Sequence, residues 1–184
     1  AAALEAAFRE AADSADAIIT SGGVSVGEAD YTKQVMKQLG EVAFWKIAMR
    51  PGRPMAFGRI CAAGPGSKSA VLFGLPGNPV AVMVTFYAFV RDALLAMGGA
   101  ASAPLPLLRA RAVEAIRKKP GRTEYQRGVV ERDGAEWRVR ITGSQGSGIL
   151  RSMSEANGLV VLHHEQGSVA AGDWVDVLPF EGLV

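Results

Sequence analysis

The chain is poor in cysteine and in histidine. Its single cysteine, Cys61, rules out an internal disulfide and any thiolate cluster for a metal. Its two histidines, His163 and His164, are neighbours in an apolar stretch; as strand residues one would face in and the other out, so neither is assigned a metal. Neither charge is in excess: 20 Lys and Arg stand against 18 Asp and Glu. A general nucleic-acid binder carries a larger basic surplus, although a local anion site stays open. No apolar run reaches the ~18 residues of a membrane span. The nearest, "VAVMVTFYAFVRDALLAMGG", is interrupted by Arg91 and Asp92 and reads as the buried helix of a globular domain. No signal-peptide pattern is visible. The opening "AAALEAAFREAADSADAII" lacks methionine and reads as a helix already under way, so the chain is expected to be the later part of something longer.

What is present is apolar residue in quantity, 49% of the chain, enough for one large or two small domains. Leu4 to Ala12 has helical spacing, and Asp13-Ser14 ends it. Ala17–Thr20 reads as a short buried strand. A glycine-rich turn follows, and then a helix from Tyr31 to Leu39 that stops at Gly40. "EVAFWKIAM" is β-rich, "RPGRP" (residues 50–54) is read as irregular, and "MAFGRI" returns as a strand. "AVLFG" (residues 70–74) is a second buried strand, with "LPGNP" and a long helix to about Met97 directly after it. Strand, glycine-rich turn and helix, used twice, is the grammar of an α/β sheet with parallel strands. Ligands of such sheets sit outside the carboxyl ends of the strands, where both turns fall. At "GGAASAPLP" the character changes, placing a boundary between residues 1–101 and 102–184. Beyond it come short alternating runs separated by Gly, Pro or Asp-Gly, the pattern of a small all-β barrel or sandwich.

The first turn, "TSGGVSVGEADY", carries Gly22 and Gly23, whose missing Cβ atoms permit a sharp bend and close approach of a ligand. Backbone N–H groups here, with the start of the next helix, form a cradle for an anion; Ser21, Ser25 and Thr32 add neutral hydrogen bonds. Asp30 would repel a phosphate unless a divalent cation lies between them; alternatively it caps the helix from Tyr31. Both readings stay open on the residues alone. The second turn, "GLPGNP", repeats the logic with Gly77, with Asn78 as donor and acceptor, and with Pro79 in the first helical turn. "WKIAMRPGRP" adds Lys46, Arg50 and Arg53; guanidinium pairs suit oxyanions, and solvated surface charge is the plainer reading of that spacing.

In order along the chain, "SGGVSVGEADY", "FWKIAMRPGRPMAFG", "LFGLPGNPVAVMVTF" and "PGRTEYQRG…GSQGSG" resemble successive motifs of the molybdopterin molybdenumtransferases, the MoeA type related to the E domain of gephyrin. The resemblance implies an incomplete MoaB/Mog-like α/β domain with a mostly parallel sheet over residues 1–101, and a barrel-like all-β domain over residues 102–184. It implies insertion of molybdate into adenylylated molybdopterin with magnesium and release of AMP. Ser21, Gly22, Gly23, Ser25, Gly27, Gly74, Pro76, Gly77 and Asn78 would then hold the pterin nucleotide. Asp30 and Lys46 match functional positions, Asp30 also as the metal ligand. Arg50, Arg53 and Pro54, with Arg122 and Ser147 from the second domain, match the molybdate site. Cytoplasmic location, a homodimer, and contact with other cofactor-biosynthesis and acceptor enzymes are implied as well; nucleic acid and membrane are not.

Three positions stand out against the family pattern. Arg50 and Arg53 occupy places where lysine is frequent, and Ala81 stands where many relatives carry serine. The upstream strands and the N-terminal domains of relatives are not in the sequence, so the isolated chain is expected to lack transferase activity. A non-catalytic molybdopterin-binding or scaffold module, a molybdopterin adenylyltransferase and a nucleotide-pyrophosphate hydrolase on the same fold are the alternatives.

Overall fold

A computed structural model of the chain describes residues 2–24, 29–64, 66–101 and 105–181. Ser25, Gly27 and Glu28 of the first turn, and residues 102–104 in the expected boundary segment, lie outside the described residues. The chain divides into two compact units, one of residues 1–47 and 52–99, the other of residues 48–51 and 100–184.

The first unit begins with α1 (Ala2–Ser14), whose residues Leu4, Phe8 and Ala12 recur at helical spacing and form its inner face. Then come β1 (Ala17–Ser21), α2 (Ala29–Leu39) and β2 (Gly40–Lys46). The two-residue strand β3 (Met49–Arg50) belongs to the second unit. The first unit resumes with β4 (Pro54–Cys61), β5 (Ser69–Leu75), α3 (Pro79–Thr85), a π-helical turn (Phe86–Val90) and α4 (Arg91–Met97). The sheet order is β1-β5-β4-β2. On one face Phe8, Ala12, Val35, Met36 and Leu39 pack against Ile18, Ala56, Ile60 and Leu72; on the other, Val82, Phe86, Val90 and Leu94 pack against Met55, Phe73 and Leu75.

This sheet is mixed, not mostly parallel. β1 and β5 run parallel, whereas β4 pairs antiparallel with both β5 and β2. Connection length explains the difference: β2 to β4 and β4 to β5 are joined by short links, while parallel neighbours need a long crossover such as the one from β1 to β5. The helix from Pro79 to Met97 has the length and mean hydropathy (1.7) of a membrane span. Val80, Ala81, Val84 and Val90 are buried, while Met83, Phe89, Leu95 and Met97 are exposed, so the helix is only partly buried. Its π-helical turn starts after Thr85, whose buried hydroxyl bonds the carbonyls of Ala81 and Val82.

The second unit contains β6 (Leu108–Ala112), β7 (Thr123–Asp133), β8 (Glu136–Ile141), the one-turn helix α5 (Arg151–Ser154), β9 (Gly158–Leu162) and β10 (Trp174–Pro179). β7-β8-β6-β10-β9 close into a ring through a β7–β9 pairing. Every expected run supplies one strand of this barrel, and its core is built from short aliphatics such as Ala110, Val139, Val160, Leu162 and Val177. β3 adds in parallel to the start of β7, with Met49 opposite Thr123 and Arg50 opposite Glu124. "RPGRP" is therefore not wholly irregular: Arg50 ends a strand, anchored by the Thr123 N–H on the Ala48 carbonyl at 2.9 Å. His163 and His164 lie just beyond β9 and both are exposed, so the in-and-out alternation does not apply to them.

Candidate functional site

Two places concentrate the expected chemistry, one in each unit. In the first unit, β1 and β5 are in parallel register from Ala17–Val71 to Ser21–Leu75, so both glycine-rich turns leave the same end of adjacent strands. The Gly22 N–H donates to the Leu75 carbonyl at 3.0 Å. A Cβ on Gly77 would stand 3.5 Å from the Gly22 Cα, so the two turns touch through their glycines. Gly22 and Gly23 have φ of +86 and +70, the left-handed region that glycine enters without penalty. Gly74 is closed in: a Cβ there would lie 2.8 Å from the Ala56 Cβ and 3.0 Å from Val24. Asn78 is the N-cap residue of α3, with extended backbone and no side-chain capping bond, and Pro79 follows in the first helical turn.

Asp30 falls inside α2, one residue after its start, so it is not the N-cap of a helix beginning at Tyr31. The helix simply starts two residues earlier than the apolar spacing suggests. Among the described residues no group of three His, Cys, Asp or Glu side chains could hold a metal ion on protein ligands alone. Ser21 ends β1, and beside it the Thr20 hydroxyl is a buried polar atom without a hydrogen-bond partner. Lys46 and Pro54 are cross-strand partners of β2 and β4; Lys46 and Arg53 are exposed, and the Arg53 carbonyl accepts from the Ile47 N–H. Ala81 is buried in α3.

Gly23 is the position where a side chain is tested most simply. Gly23→Ala combines an unfavourable φ with a Cβ 2.8 Å from the Thr32 methyl. The expected cost is about 1–2 kcal/mol, read as a lower denaturant midpoint with unchanged slope. Adding Thr32→Ser removes the 2.8 Å methyl contact and leaves the conformational part, with the tighter-than-usual 3.2 Å approaches to the residue-32 Cβ and hydroxyl.

In the second unit a cavity of about 820 Å³ opens beside β3 and β7. Arg50, Arg117, Lys118, Lys119, Arg122 and Arg127 line it, against Glu114 and Glu124. These charges are not equivalent. Lys118 is 6% exposed, and its ammonium donates to the carbonyls of His163, His164 and Gln166, so it is spent on tying down the loop after β9. Arg122 is answered by buried Glu124: its Nε and Nη2 each stand 2.8 Å from the same carboxylate oxygen. Gln126 donates to the other oxygen of Glu124. Burial raises the pKa of Tyr125, which keeps its phenol protonated as a donor on the cavity wall.

Arg127 is different. It is 1% exposed, yet its guanidinium is met only by neutral acceptors: the Ser144 and Gly146 carbonyls at 3.2 and 3.0 Å, and the Ser152 hydroxyl. Burial lowers its pKa, and the charge of Arg50 lowers it further. Arg50 is paired through its backbone with β7 but is exposed, and its side chain makes no hydrogen bond or ion pair among the described residues. Burial, and after it the neighbouring charge of Arg50, thus both weigh on Arg127, whose own hydrogen-bond partners include no carboxylate although Glu114 and Glu124 line the same cavity. An oxyanion is the species that relieves such an arrangement.

The cavity wall therefore brings together Arg50 and Arg122 of the sequence candidates, and does not include Arg53 or Ser147. Ser147 is half-buried in the loop that Arg127 holds. Arg127 was missed because no local pattern marks it. Its neighbours in β7 read as an ordinary half-buried strand, and its burial comes from residues 144–152, which fold back over it.

Residues 1–96 match the family described as "Probable molybdopterin binding domain", and residues 109–180 match "MoeA C-terminal region (domain IV)". The chain belongs to the molybdopterin-binding domain family. A molybdopterin molybdenumtransferase of Haemophilus influenzae is 41% identical over 182 residues, which are 98% of this chain and 43% of that protein. Gephyrin of Dictyostelium discoideum is 35% identical over 180 residues, 89% of this chain and 25% of that protein. Among solved structures, the molybdopterin biosynthesis moeA protein of Pyrococcus horikosii superposes with TM-score 0.74 at 28% identity, covering 97% of this chain and 41% of that one. The molybdenum cofactor biosynthesis protein of Pyrococcus furiosus gives TM-score 0.69 at 25% identity, covering 95% and 52%. The chain thus spans about half or less of the relatives it matches. Among molybdopterin-binding domains, this one carries its paired turns on β1 and β5 and is followed by the MoeA-type barrel.

Proposed function

We propose that this chain is the part of a molybdopterin molybdenumtransferase that inserts molybdate into adenylylated molybdopterin with release of AMP. The observation that carries the reading is Arg127: a guanidinium 1% exposed and bonded only by neutral acceptors among the described residues, on the wall of a cavity that Arg50 and Arg122 also line. Molybdate is a compact tetrahedral dianion, and planar cationic donors hold such an ion through paired hydrogen bonds. In the first unit, Gly22, Gly23, Gly77 and Asn78, with Ser21, Ser25, Gly27, Gly74 and Pro76, would hold the nucleotide phosphate and pterin at the touching turns of β1 and β5. Arg53, Pro54, Lys46, Arg122 and Ser147 would contribute to orienting the two substrates.

No nucleophilic side chain is needed: the dithiolene sulfurs replace oxygens of molybdate, which leave as water, and a water molecule takes the phosphorus bond that breaks as AMP departs. The chain's task is to position these reactants and to balance charge. The donor set fits magnesium only in the form that ion commonly takes, one carboxylate plus substrate phosphate oxygens and water, with Asp30 as the carboxylate. Magnesium when bound acts as a Lewis acid on the phosphate that leaves with AMP. A homodimer, a cytoplasmic location and contact with acceptor enzymes belong to the same reading.

The test is Asp30→Ala in the full-length protein, assayed for molybdenum insertion and, separately, for tungstate binding. Insertion falls by about a hundredfold or more, while oxyanion affinity stays within about twofold. Intact cofactor maturation in that variant would instead favour a scaffold that binds molybdopterin without chemistry.

A further inference from the structure

We infer that Ser152 is a positioning residue, one whose hydroxyl aims the Arg127 guanidinium into the cavity. The inference rests on the oxyanion reading of that cavity given above. A guanidinium is a rigid plane with five N–H donors, so fixing two of its nitrogens fixes the third. In Arg127 the Nη2 group donates to the Ser144 and Gly146 carbonyls. The edge formed by Nε and Nη2 is held by one atom, the Ser152 Oγ, at 3.1 and 3.0 Å. The Nη1 group makes no hydrogen bond among the described residues, and its two N–H donors are those left for a ligand in the cavity that Arg127 lines.

Ser152 is built for this contact. It is 2% exposed and lies in α5, and its own proton goes to the Ile149 carbonyl at 2.8 Å, which turns the oxygen lone pairs toward Arg127. The backbone around the pair is pinned too. The Thr142 hydroxyl lies 3.1 Å from both the Arg127 and Ser152 carbonyls, and the Gln145 side chain accepts from the Arg127 N–H and donates to its carbonyl. Burial and the nearby charge of Arg50 both disfavour the Arg127 cation, and no carboxylate bonds it, so the neutral acceptors alone hold it. Without the Ser152 oxygen, the Nε–H edge is free to swing about the Nη2 contacts, and the Nη1 donors move with it.

The experiment compares Ser152→Ala, Ser152→Thr, Arg127→Lys and the Arg127→Lys/Ser152→Ala double variant with the wild-type chain. Each is titrated with sodium tungstate by calorimetry, and a melting curve checks the fold. Ser152→Ala weakens tungstate binding about tenfold, and Ser152→Thr, which keeps the oxygen, restores most of it. In the Arg127→Lys background, Ser152→Ala changes affinity by less than about twofold, because lysine has no Nε–H edge to position. A Ser152→Ala variant that binds like the wild type overturns the inference, as does an equal loss in the lysine background, which is what a merely structural role predicts. The Arg127 Nε–H resonance provides a reading that needs no anion: it is protected from solvent exchange in the wild type and loses that protection in Ser152→Ala. An unchanged resonance also overturns the inference. If the wild-type chain binds no tungstate, the oxyanion reading of the cavity falls and this role falls with it; tungstate binding that ignores Ser152 removes this inference alone.

Discussion

Arg127→Met is expected to abolish useful oxyanion binding while leaving the barrel folded. The substitution keeps an unbranched apolar stem, shortens the side chain and deletes its charge and donors. A charge-assisted contact inside a partly desolvated cavity contributes about 3 kcal/mol, so tungstate affinity falls by about a hundredfold or more. Stability responds far less. Methionine removes a buried cation that has no carboxylate partner, which is favourable, and leaves the Ser144 and Gly146 carbonyls and the Ser152 hydroxyl short of a donor, which is not. The two effects offset each other to within about 1–2 kcal/mol. Calorimetric titration and thermal melting of the same variant separate the outcomes. Retention of tungstate affinity within about threefold would remove Arg127 from the site.

Gly58→Ala is expected to produce the largest loss of stability of any single methyl added to the first unit. Gly58 lies in β4 opposite Val42 of β2, and a Cβ there would meet the Glu41 carbonyl oxygen at 2.0 Å and the Val42 Cα at 2.7 Å. Both obstacles are backbone, so no rotamer change relieves them and the strands must separate. Gly40 shows the mirror situation, with a Cβ 2.0 Å from the Arg59 carbonyl. The expected cost is about 4 kcal/mol, a large part of the total stability of an ordinary domain. Urea unfolding measures it; a loss under about 1 kcal/mol would mean that β2 and β4 are not held so close.

Some of this architecture was readable from residues alone because it is written locally. Gly22-Gly23 and Gly77 announced turns at strand ends, and the turns do leave adjacent parallel strands side by side. The alternating runs after residue 106 each became a barrel strand, since period-two patterning directly encodes which face is buried. Strand direction was less accessible. The sequence "AVLFG" is equally apolar whether its neighbour runs parallel or antiparallel, and only the short links on either side of β4 separate the cases. β3 was invisible for a different reason: two residues between a helix-poor stretch and Pro51 carry no periodicity, and their pairing partner, Thr123–Glu124, lies over seventy residues away. Arg122 was marked only through the resemblance of its "PGR" segment to a family motif, and its neutralisation by Glu124, which depends on strand geometry, was not. Arg127 and Ser152 were illegible together, because each acquires its surroundings only when the loop between them closes.

The excursion of residues 48–51 into the barrel unit changes what can be separated. The polypeptide crosses between the units three times, at 47/48, 51/52 and 99/100, so a single cut at residue 99 cannot release two whole modules. The downstream piece would lose Arg50, and with it one of the guanidinium groups of the cavity that Arg127 lines. The upstream piece would carry a bare two-residue strand with nowhere to bind. Recombination or truncation at that linker would thus split the proposed oxyanion donors between two molecules, which ties the inheritance of one unit to that of the other.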